Sequence, residues 1–455
     1  MTGLTCFKAY DIRGRLGIDL DEEIAYRIGR AFAQTLDASK VVLGRDVRAS
    51  SEALAVSVAR GLIDAGCQVL DLGLSGTEEM YFATTHFEAD GGICVTASHN
   101  PMDYNGMKMV RAGSAPLDAA SGLAKIKALA EENAFGPARQ GATAVNEAHD
   151  ARKAYVNRVT SFVDMTALKP LKILVNAGHG TAGPTFDAIA DRLVAAGAPL
   201  TFERVFHAPD GTFPQGIPNP LLLENRPATA QAVREAGADF GVAWDGDFDR
   251  CFFFDHTGTF IDGEYVIGLL AEVFLAKSPG ETIIHDPRII WNTQDIVARA
   301  GGQAVQTRTG HAFIKQAMRD ENAIYGGEMS AHHYFRDFVY CDSGMIPWLL
   351  IAELVSRNGP LADLVAKQKA AFPSSGEINF TLQDPGSAIA RVRAEFASKA
   401  ISVDEMDGLG FDLGDWRFSL RSSNTEPVVR LNVEARGRAD LVTAGVERIQ
   451  AILTA

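Results

Sequence analysis

The segment DGDFDR, residues 245–250, places carboxylates at every second position. If the loop curls, Asp245, Asp247 and Asp249 converge on one hard cation, and a small octahedral ion such as Mg2+ leaves positions for a phosphate oxygen and water. A calcium-binding EF-hand loop is excluded, because it requires glycine at its sixth position and glutamate at its twelfth, where this chain has Arg250 and His256. The alternative is a solvated acidic turn that Arg250 partly neutralises.

A second short motif holds a candidate nucleophile. Residues 96–101, TASHNP, follow an apolar run and place Ser98 beside His99. A serine hydroxyl is a weak nucleophile unless a base or a positive field activates it, and the segment lacks the GxSxG elbow of α/β-hydrolases. A turn built from serine, histidine, asparagine and proline is the alternative. Taken alone, the motif leaves both interpretations of Ser98 open.

Two further loops carry groups suited to a sugar phosphate. Residues 421–427, RSSNTEP, combine one guanidinium, three hydroxyls and an amide, which favours a phosphate cradle over a plain polar hairpin loop. Residues 326–333, GGEMSAHH, offer Glu328 and Ser330 to sugar hydroxyls. Zinc binding by the adjacent histidines and Cys341 is discounted, because their spacing matches no usual zinc site.

The elements that must position these loops alternate between strands and helices. A strand at 41–43, a helix from Ser50 or Ser51 to about Ala65, and a strand at 68–72 predict a βαβ unit. Farther along, the patterns predict strands at 172–175, 240–244, 282–285 and 303–307, helices after Pro184, at 224–236 and at 311–319, and a hairpin around 255–258.

The last segment, from about residue 372, differs from the rest. Val429, Leu431 and Val433 alternate with polar residues, which predicts a half-exposed strand of an antiparallel sheet. These patterns indicate three α/β domains followed by a smaller α+β domain. The predicted boundaries are 1–148, 149–256, 257–370 and 371–455.

Composition narrows the function classes. A net charge of −14 and a pI near 5.2 argue against general binding to nucleic acid or to a membrane surface. The N-terminus carries no signal-peptide pattern. The five cysteines are scattered without a CxxC pair, which indicates a reducing cytoplasm and small buried apolar side chains. Asp46 and Arg48, in GRDVR, are interpreted as a structural salt bridge.

Five motifs, in their order along the chain, together resemble the α-D-phosphohexomutase family. They are YDIRG at 10–14, TASHNPMDYNGMK at 96–108, DGDFDR at 245–250, GEMSAHHYF at 327–335 and RSSNTEP at 421–427. Within the family, the chain most resembles the bacterial phosphomannomutases, including those that also act as phosphoglucomutases. The resemblance implies three related α/β domains and a C-terminal α+β domain around a central active-site cleft.

The resemblance also implies an activity. The expected enzyme is an isomerase that interconverts hexose 6-phosphate and hexose 1-phosphate, with mannose as the expected sugar and glucose as a second one. Its implied cofactors are Mg2+ and a hexose 1,6-bisphosphate, which is both activator and intermediate of a phosphoserine enzyme. Alternatives are a phosphoglucosamine mutase, a strictly glucose-selective phosphoglucomutase, a sugar-phosphate-binding regulator without turnover, and a phosphatase that uses an aspartate as nucleophile.

Residue roles follow from the same resemblance. Ser98 is implied to carry the phosphate and to bind Mg2+ together with Asp245, Asp247 and Asp249. The reaction centre would contain Arg13, His99, Lys108, Arg250 and His311, with Lys108 and His311 as the candidates for general acid and base and His99 as a phosphate-contacting neighbour. Substrate binding is assigned to Tyr10, Arg288, Gly310, Glu328, Ser330, His332, Arg421, Ser423, Asn424 and Thr425.

The implied partners are small sugar phosphates, with neither nucleic acid nor membrane, for a cytoplasmic monomer or weak homodimer. Its products would enter carbohydrate metabolism and nucleotide-sugar biosynthesis. Two positions depart from the family pattern: His179 stands in NAGHG, where a second asparagine is usual, and Phe248 replaces a small residue. We expect His179 to alter the hydrogen bonding of its turn, and Phe248 to narrow the surroundings of the metal loop.

Overall fold

The structure is a computed structural model that describes residues 3–422 and 428–455. The chain forms two compact units. The first contains residues up to Phe260 together with His332–Arg357, and the second contains Ile261–Ala331 and Asn358–Ala455. In the part of the chain that the structure describes, no helix has both the length and the apolar character that crossing a membrane requires.

The first unit begins with a seven-stranded mixed sheet. Its elements are β1 (Ile12–Arg15), α1 (Glu22–Leu36), β2 (Lys40–Arg45), α2 (Ser51–Asp64), β3 (Gln68–Leu74), α3 (Thr77–His86), β4 (Gly91–Val95), β5 (Tyr104–Arg111), β6 (Ala115–Pro116), α4 (Ala124–Glu132) and β7 (Ala144–Asn146). The order is β1-β5-β4-β2-β3-β7, with β6 against β5. Strands β4, β2, β3 and β7 run parallel, while β5 is antiparallel to β1 and β4. The predicted βαβ unit is confirmed, and TASHNP connects β4 to β5.

Buried apolar side chains anchor the strands that lead into this loop. Val41, Leu43, Ile93 and Val95, from β2 and β4, belong to one core cluster with side chains of α1 and α2. The five cysteines are all buried and outside any disulfide, which confirms their predicted role as small apolar residues. The base of the TASHNP loop therefore has a defined position.

A five-stranded sheet follows in the first unit. Its elements are α5 (Ala148–Thr160), β8 (Leu171–Asn176), α6 (Ala182–Ala195), β9 (Leu200–Val205), α7 (Arg226–Ala236), β10 (Phe240–Trp244), β11 (Cys251–Asp255) and β12 (Phe260–Ile261). The order is β12-β11-β10-β8-β9, and the acidic segment connects the antiparallel strands β10 and β11. The helix predicted after Pro184 begins earlier, at Ala182, because proline fits the first turn of a helix, where an amide has no helical acceptor.

The third segment again alternates strands and helices. Its elements are α8 (Gly263–Lys277), β13 (Thr282–His285), α9 (Trp291–Arg299), β14 (Gln303–Gln306), α10 (His311–Asp320), β15 (Tyr325–Gly327), β16 (His333–Phe335), β17 (Cys341–Asp342), α11 (Met345–Asn358) and α12 (Leu361–Ala371). In the second unit, β13 pairs in parallel with β14 and β15. In the first unit, β16 and β17 form an antiparallel pair. The strands and the helix predicted here are confirmed.

The C-terminal segment forms an antiparallel sheet in the order β18-β22-β21-β20-β19. Its elements are β18 (Ser374–Thr381), α13 (Pro385–Phe396), β19 (Ser402–Asp404), β20 (Leu409–Asp412), β21 (Trp416–Ser422), β22 (Val428–Ala435) and α14 (Ala439–Leu453). The antiparallel pairing is confirmed, but the prediction that β22 is half-exposed is wrong. Its polar residues Asn432 and Glu434 are buried, because Glu434 pairs with Arg417 at 2.6 Å and accepts the amides of Ile290 and Trp291.

Candidate active site

Ser98 lies in a strained turn between β4 and β5. Its backbone φ is 49°, in the left-handed region, which costs a residue with a Cβ about 1–2 kcal/mol. Its amide donates to Thr96 Oγ1 at 2.9 Å, and its Oγ lies 3.0 Å from His99 Nδ1. The same Oγ donates to Asp245 Oδ2 at 2.7 Å. The turn therefore presents the serine hydroxyl to the acidic loop.

Arg48 holds this turn in place. Its guanidinium donates, over distances of 2.5 to 3.1 Å, to the carbonyl oxygens of Ser98, Asn100, Pro101 and Tyr104. Its Nε lies 3.6 Å from Asp46 Oδ2, which confirms the predicted structural salt bridge. The planar fork of an arginine matches such paired acceptors in a way that a lysine ammonium does not. Arg48 thus links a buried ion pair to the geometry of the serine turn.

Asp245, Asp247 and Asp249 form a buried acidic cluster, which excludes the solvated acidic turn. One carboxylate oxygen of each lies within 4.8 Å of the others, and Asp249 belongs to a second such group with His332 and Asp342. Oδ1 of Asp247 is buried and has no hydrogen-bond partner among the described residues. Three converging oxygen donors with an unsatisfied buried oxygen fit a small divalent cation such as Mg2+.

Glycines allow the loops of the two sheets to approach each other. A Cβ on Gly246 would lie 2.6 Å from the carbonyl oxygen of Ser98, and a Cβ on Gly180 would lie 2.7 Å from the carbonyl oxygen of Gly246. That oxygen also accepts hydrogen bonds from the amide and the hydroxyl of Thr181, at 3.1 and 3.0 Å. The glycine-rich turn at 178–181 therefore supports the acidic loop.

The two departures from the family pattern make contacts of their own. The ring of Phe248 is fully buried, and the space that it needs is provided by Gly76, where a Cβ would lie 2.1 Å from the ring. His179 has a positive φ of 58°, and its Nδ1 lies 2.9 Å from the carbonyl oxygen of Ala208. Neither residue replaces one of the carboxylates of the acidic cluster.

Lys108, on β5, supplies positive charge inside the acidic cluster. Its Nζ lies 2.8 Å from Asp247 Oδ2 and forms a close ion pair with Asp249. Burial alone lowers the pKa of Lys108, but these two carboxylates outweigh burial and raise the pKa above its usual range. The lysine is therefore protonated in this arrangement. Burial, together with Asp249 and Asp247, raises the pKa of Asp245 well above its ordinary value.

Further cationic groups border the cluster. Arg250 Nε donates to His332 Nε2 at 3.2 Å, and Arg13 donates to the carbonyl oxygen of Thr96 at 2.8 Å. Burial and the charge of Arg250 lower the pKa of His99, so this ring is neutral at pH 7. The first unit thus brings together Arg13, Ser98, His99, Lys108, Asp245, Asp247, Asp249, Arg250 and His332, while Tyr10 lies half-buried in the bend before β1.

The second unit contains Gly310, Glu328 and Ser330 of the residues predicted to bind the sugar. Oε1 of the buried Glu328 accepts the amide of Gly310 at 2.8 Å. Gly310 immediately precedes His311, the first residue of α10. Ser330 follows on the same loop as Glu328 and is half-buried. The structure therefore places a carboxylate and a hydroxyl on one loop, and an imidazole at the start of α10, in the same unit.

Three arginines gather where β21 and β22 enter their connecting segment. Arg421 and Arg430 stand directly opposite each other in the strand register, and Arg288 and Arg430 both approach Glu377, at 3.5 and 3.8 Å. Like charges at opposing positions repel, and burial together with Arg288 lowers the pKa of Arg421. Asp286 pairs with Arg288 at 2.6 Å and Asp407 with Arg421 at 3.5 Å, so carboxylates balance these guanidiniums, which still offer several N–H donors to a phosphate. Ser423, Asn424 and Thr425, which are predicted to bind phosphate, lie outside the described residues.

Sequence reasoning missed three residues of these clusters. The sequence predicts Arg48 only as a salt-bridge partner, and neither Arg430 nor Thr77 is among the predicted site residues. Arg430 had only a weak signal, its place on the strand predicted after the RSSNTEP motif, because the register that sets it opposite Arg421 depends on the folded sheet. Thr77, which donates its hydroxyl to Asp247 Oδ2 at 2.6 Å, had none, because the two residues are far apart in the chain.

Family models match the chain from near its beginning to near its end. They describe phosphoglucomutase/phosphomannomutase alpha/beta/alpha domain I at residues 5–136, domain II at 153–258, domain III at 262–372 and the C-terminal domain at 377–452.

Curated relatives and solved structures agree with these matches. The chain is 59% identical over 454 residues to a phosphomannomutase of Salmonella typhimurium, with 100% of both chains covered. It is 56% identical over 453 residues to a protein of Xanthomonas campestris named phosphohexose mutases, with 99% of both covered. A crystal structure of a phosphoglucomutase/phosphomannomutase family protein from Burkholderia thailandensis is 30% identical, with a TM-score of 0.86 over 100% of this chain and 98% of that one.

Proposed function

Because this chain belongs to the phosphoglucomutase/phosphomannomutase family and is a hexose phosphate mutase, an isomerase, we propose that it transfers phosphate through Ser98 between the 6- and 1-positions of mannose, with glucose as a second sugar. The observation that carries this proposal is the 2.7 Å contact between Ser98 Oγ and Asp245 Oδ2. A serine beside three carboxylates and a protonated lysine is suited to holding a phosphoryl group next to a cation.

The acidic cluster would hold Mg2+ through Asp245, Asp247 and Asp249, and Ser98 would contribute an oxygen of its phosphate. Bound there, the ion would offset negative charge on the transferring phosphoryl group, which is the main help that a loose phosphoryl-transfer transition state can use. The chain contributes a buried site for it. The observation that supports this assignment is the buried Oδ1 of Asp247, which has no hydrogen-bond partner in the described part of the chain.

In the first half-reaction, the O1 or O6 hydroxyl of a hexose phosphate would attack the phosphorus of phosphorylated Ser98. The bond between phosphorus and Ser98 Oγ breaks, and the proton displaced from the sugar hydroxyl passes to a base and finally to Oγ. Lys108 and His311 are the candidates for this acid and base, and because Asp247 and Asp249 raise the pKa of Lys108, its ammonium is also suited to offset negative charge at the reaction centre. Arg13 and Arg250 would add positive charge near the phosphoryl group.

Binding of the substrate would divide between two sets of residues. Sugar hydroxyls would be read by Glu328 and Ser330, with contributions from Tyr10, Gly310 and His332. The phosphate that does not react would bind at Arg288 and Arg421, with Ser423, Asn424 and Thr425, and the position of Arg430 adds that residue to the set. The intermediate, a hexose 1,6-bisphosphate, would present its two phosphates in turn, so the same arginines must accept either end of the sugar.

The proposal also includes the domain boundaries, the oligomeric state and the cellular compartment. The domain boundaries at 148, 256 and 370 stay predictions, as does a monomer or weak homodimer. Five buried cysteines outside any disulfide fit a reducing compartment such as the cytoplasm. Mannose 1-phosphate made there would supply nucleotide-sugar biosynthesis.

Phosphorylation of Ser98 is the direct test. Incubation with glucose 1,6-bisphosphate and Mg2+ should add one phosphate to the intact mass of the chain, and peptide mapping should locate it on Ser98. Ser98→Ala should take up none and lose nearly all mutase activity, whereas the exposed Ser387→Ala should behave as the unmodified chain. Absence of phosphate on Ser98 would refute the mechanism, and sugar phosphate hydrolysis that persists in Ser98→Ala would support the phosphatase alternative.

A panel of substrates tests the choice of sugar. Coupled assays with mannose 1-phosphate, glucose 1-phosphate and glucosamine 1-phosphate should give the highest rate with mannose 1-phosphate and a measurable rate with glucose 1-phosphate. Activity confined to glucosamine 1-phosphate would reject the proposed sugar while leaving the mutase chemistry intact.

A further inference from the structure

The first turn of α3 is a buried junction within the first unit. Thr77, Glu78 and Glu79 are consecutive, and all three are buried. Glu78 accepts the amide of Gly344, just before α11, and Glu79 pairs with Arg152 on α5 at 2.8 Å. The first residue of the turn, Thr77, contacts the acidic loop.

Thr77 binds Asp247 through both its backbone and its side chain. Its amide lies 3.2 Å from the carbonyl oxygen of Asp247, and its Oγ1 donates to Asp247 Oδ2 at 2.6 Å. Lys108 donates to the same Oδ2 at 2.8 Å. Oδ2 is therefore engaged by two donors, whereas Oδ1 of the same carboxylate is buried and has no hydrogen-bond partner among the described residues. The two donors leave the carboxylate one defined orientation.

We propose that Thr77 is a positioning residue that orients the Asp247 carboxylate so that Oδ1 is a ligand of the divalent cation. This inference rests on the metal site of the proposed function and adds a residue that neither the spacing of the aspartates nor the family motifs contain. Carboxylates that bind metals are usually held by further hydrogen bonds, and loss of such a partner typically weakens metal affinity by 10- to 100-fold.

The position of Thr77 is itself fixed by its neighbours. Oε2 of Glu79 accepts the amide of Gly76 at 3.0 Å and the hydroxyl of Thr185 at 3.1 Å, which closes the start of α3. Gly76 has no side chain, and the ring of Phe248 from the acidic loop occupies that space. The turn and the acidic loop are therefore packed against each other on both sides of the bond between Thr77 and Asp247.

The orientation of a carboxylate matters more for some cations than for others. Mg2+ requires near-ideal octahedral geometry at 2.0–2.1 Å, whereas Ca2+ accepts six to eight oxygen ligands in flexible arrangements. If Thr77 acts by orienting Asp247, its loss should weaken Mg2+ binding more than Ca2+ binding. A role confined to packing would weaken both equally.

Titration calorimetry of the full-length variants with each metal alone, without sugar phosphate, tests this inference. Thr77→Val keeps the shape of the side chain but removes the hydroxyl, and Thr77→Ser restores it. Thr84→Val is the matched control, because Thr84 is equally buried on the same helix and its hydroxyl donates to Met80 one turn earlier in that helix. We expect Thr77→Val to bind Mg2+ roughly 10- to 100-fold more weakly, with a smaller loss for Ca2+, and Thr77→Ser and Thr84→Val to bind both metals nearly as the unmodified chain does.

Each other outcome has a defined meaning. Unchanged Mg2+ binding by folded Thr77→Val, an equal loss for Mg2+ and Ca2+, or no recovery in Thr77→Ser would overturn the inference. If Thr77→Val does not fold, Thr77→Ala removes the same hydroxyl with less side chain and is judged by the same criteria. If the unmodified chain itself binds no Mg2+, the metal site of the proposed function fails, which separates that failure from a failure of Thr77 alone.

Discussion

Replacing Arg48 by lysine tests whether the turn around Ser98 depends on a forked donor or only on positive charge. The substitution keeps a cation beside Asp46 but removes the planar fork that donates to four carbonyl oxygens of the turn. The guanidinium donates through Nη1 to Pro101 and Tyr104 and through Nη2 to Ser98 and Asn100. A lysine ammonium is a compact point donor, so we expect the variant to lose at least one of these two pairs of hydrogen bonds.

The energy of the lost hydrogen bond is similar to the backbone strain at Ser98. The bond from Arg48 to the Ser98 carbonyl is buried, and loss of a charge-assisted bond there costs about 1.5–3 kcal/mol. The left-handed conformation of Ser98, with φ at 49°, costs about 1–2 kcal/mol. Because these two energies are similar, loss of the hydrogen bonds from Arg48 should let Ser98 relax toward a negative φ. A displacement of its Oγ by about 1 Å is enough to slow phosphoryl transfer about 100-fold.

The assay is the rate at which glucose 1,6-bisphosphate phosphorylates Ser98, followed by intact mass after rapid quenching. We expect Arg48→Lys to be phosphorylated 10- to 100-fold more slowly than the unmodified chain while remaining folded. Arg60→Lys, an exposed substitution on α2 in the same unit, is the control and should change nothing. If Arg48→Lys melts at a lower temperature but is phosphorylated at the normal rate, Arg48 supports the fold only and the argument for the clamp is refuted.

Three further predictions concern stability. Lys108→Met leaves the buried Asp247 and Asp249 without their cation, so thermal unfolding in EDTA should show a loss of roughly 3–5 kcal/mol that Mg2+ largely restores; an equal loss with and without Mg2+ would contradict this. Burial, with a contribution from Asp262, raises the pKa of Glu264 from 4.5 to about 7. Between these two pH values the unfolded chain releases a proton that the folded chain keeps, so the free energy of unfolding should fall by about 3 kcal/mol as the pH rises from 4.5 to 7. Glu264→Gln should flatten the pH dependence of the melting temperature over this range, and an unchanged pH profile would count against Glu264 as its source. Gly76→Ala places a methyl group 2.1 Å from the ring of Phe248 and should cost about 1–3 kcal/mol in thermal unfolding, part of which Phe248→Leu should recover; full stability of the single variant would show that the ring moves freely.

Local patterns predicted the elements because they depend on neighbours in the chain. The strand at 240–244 and the helix at 311–319 follow from apolar runs and periodicity, and the structure has both. The pattern of β22 was misleading, because alternation predicts a solvent-facing side only if nothing covers it. Burial of the ion pair between Glu434 and Arg417 depends on a segment near residue 290 that no local rule connects to β22.

The candidate site divides in the same way. The acidic cluster could be predicted from local spacing, because three aspartates in one short loop are close in any curled conformation, and the ordered motifs indicated the family. The bonds from Arg48 to the serine turn and from Thr77 to one oxygen of Asp247 could not be predicted in this way, because they depend on how distant segments pack in the folded chain. Thr77 and Asp247 are 170 residues apart. Their contact exists because two separate sheets end their strands side by side, and the spacing of residues along a chain carries no information about which strand ends will meet.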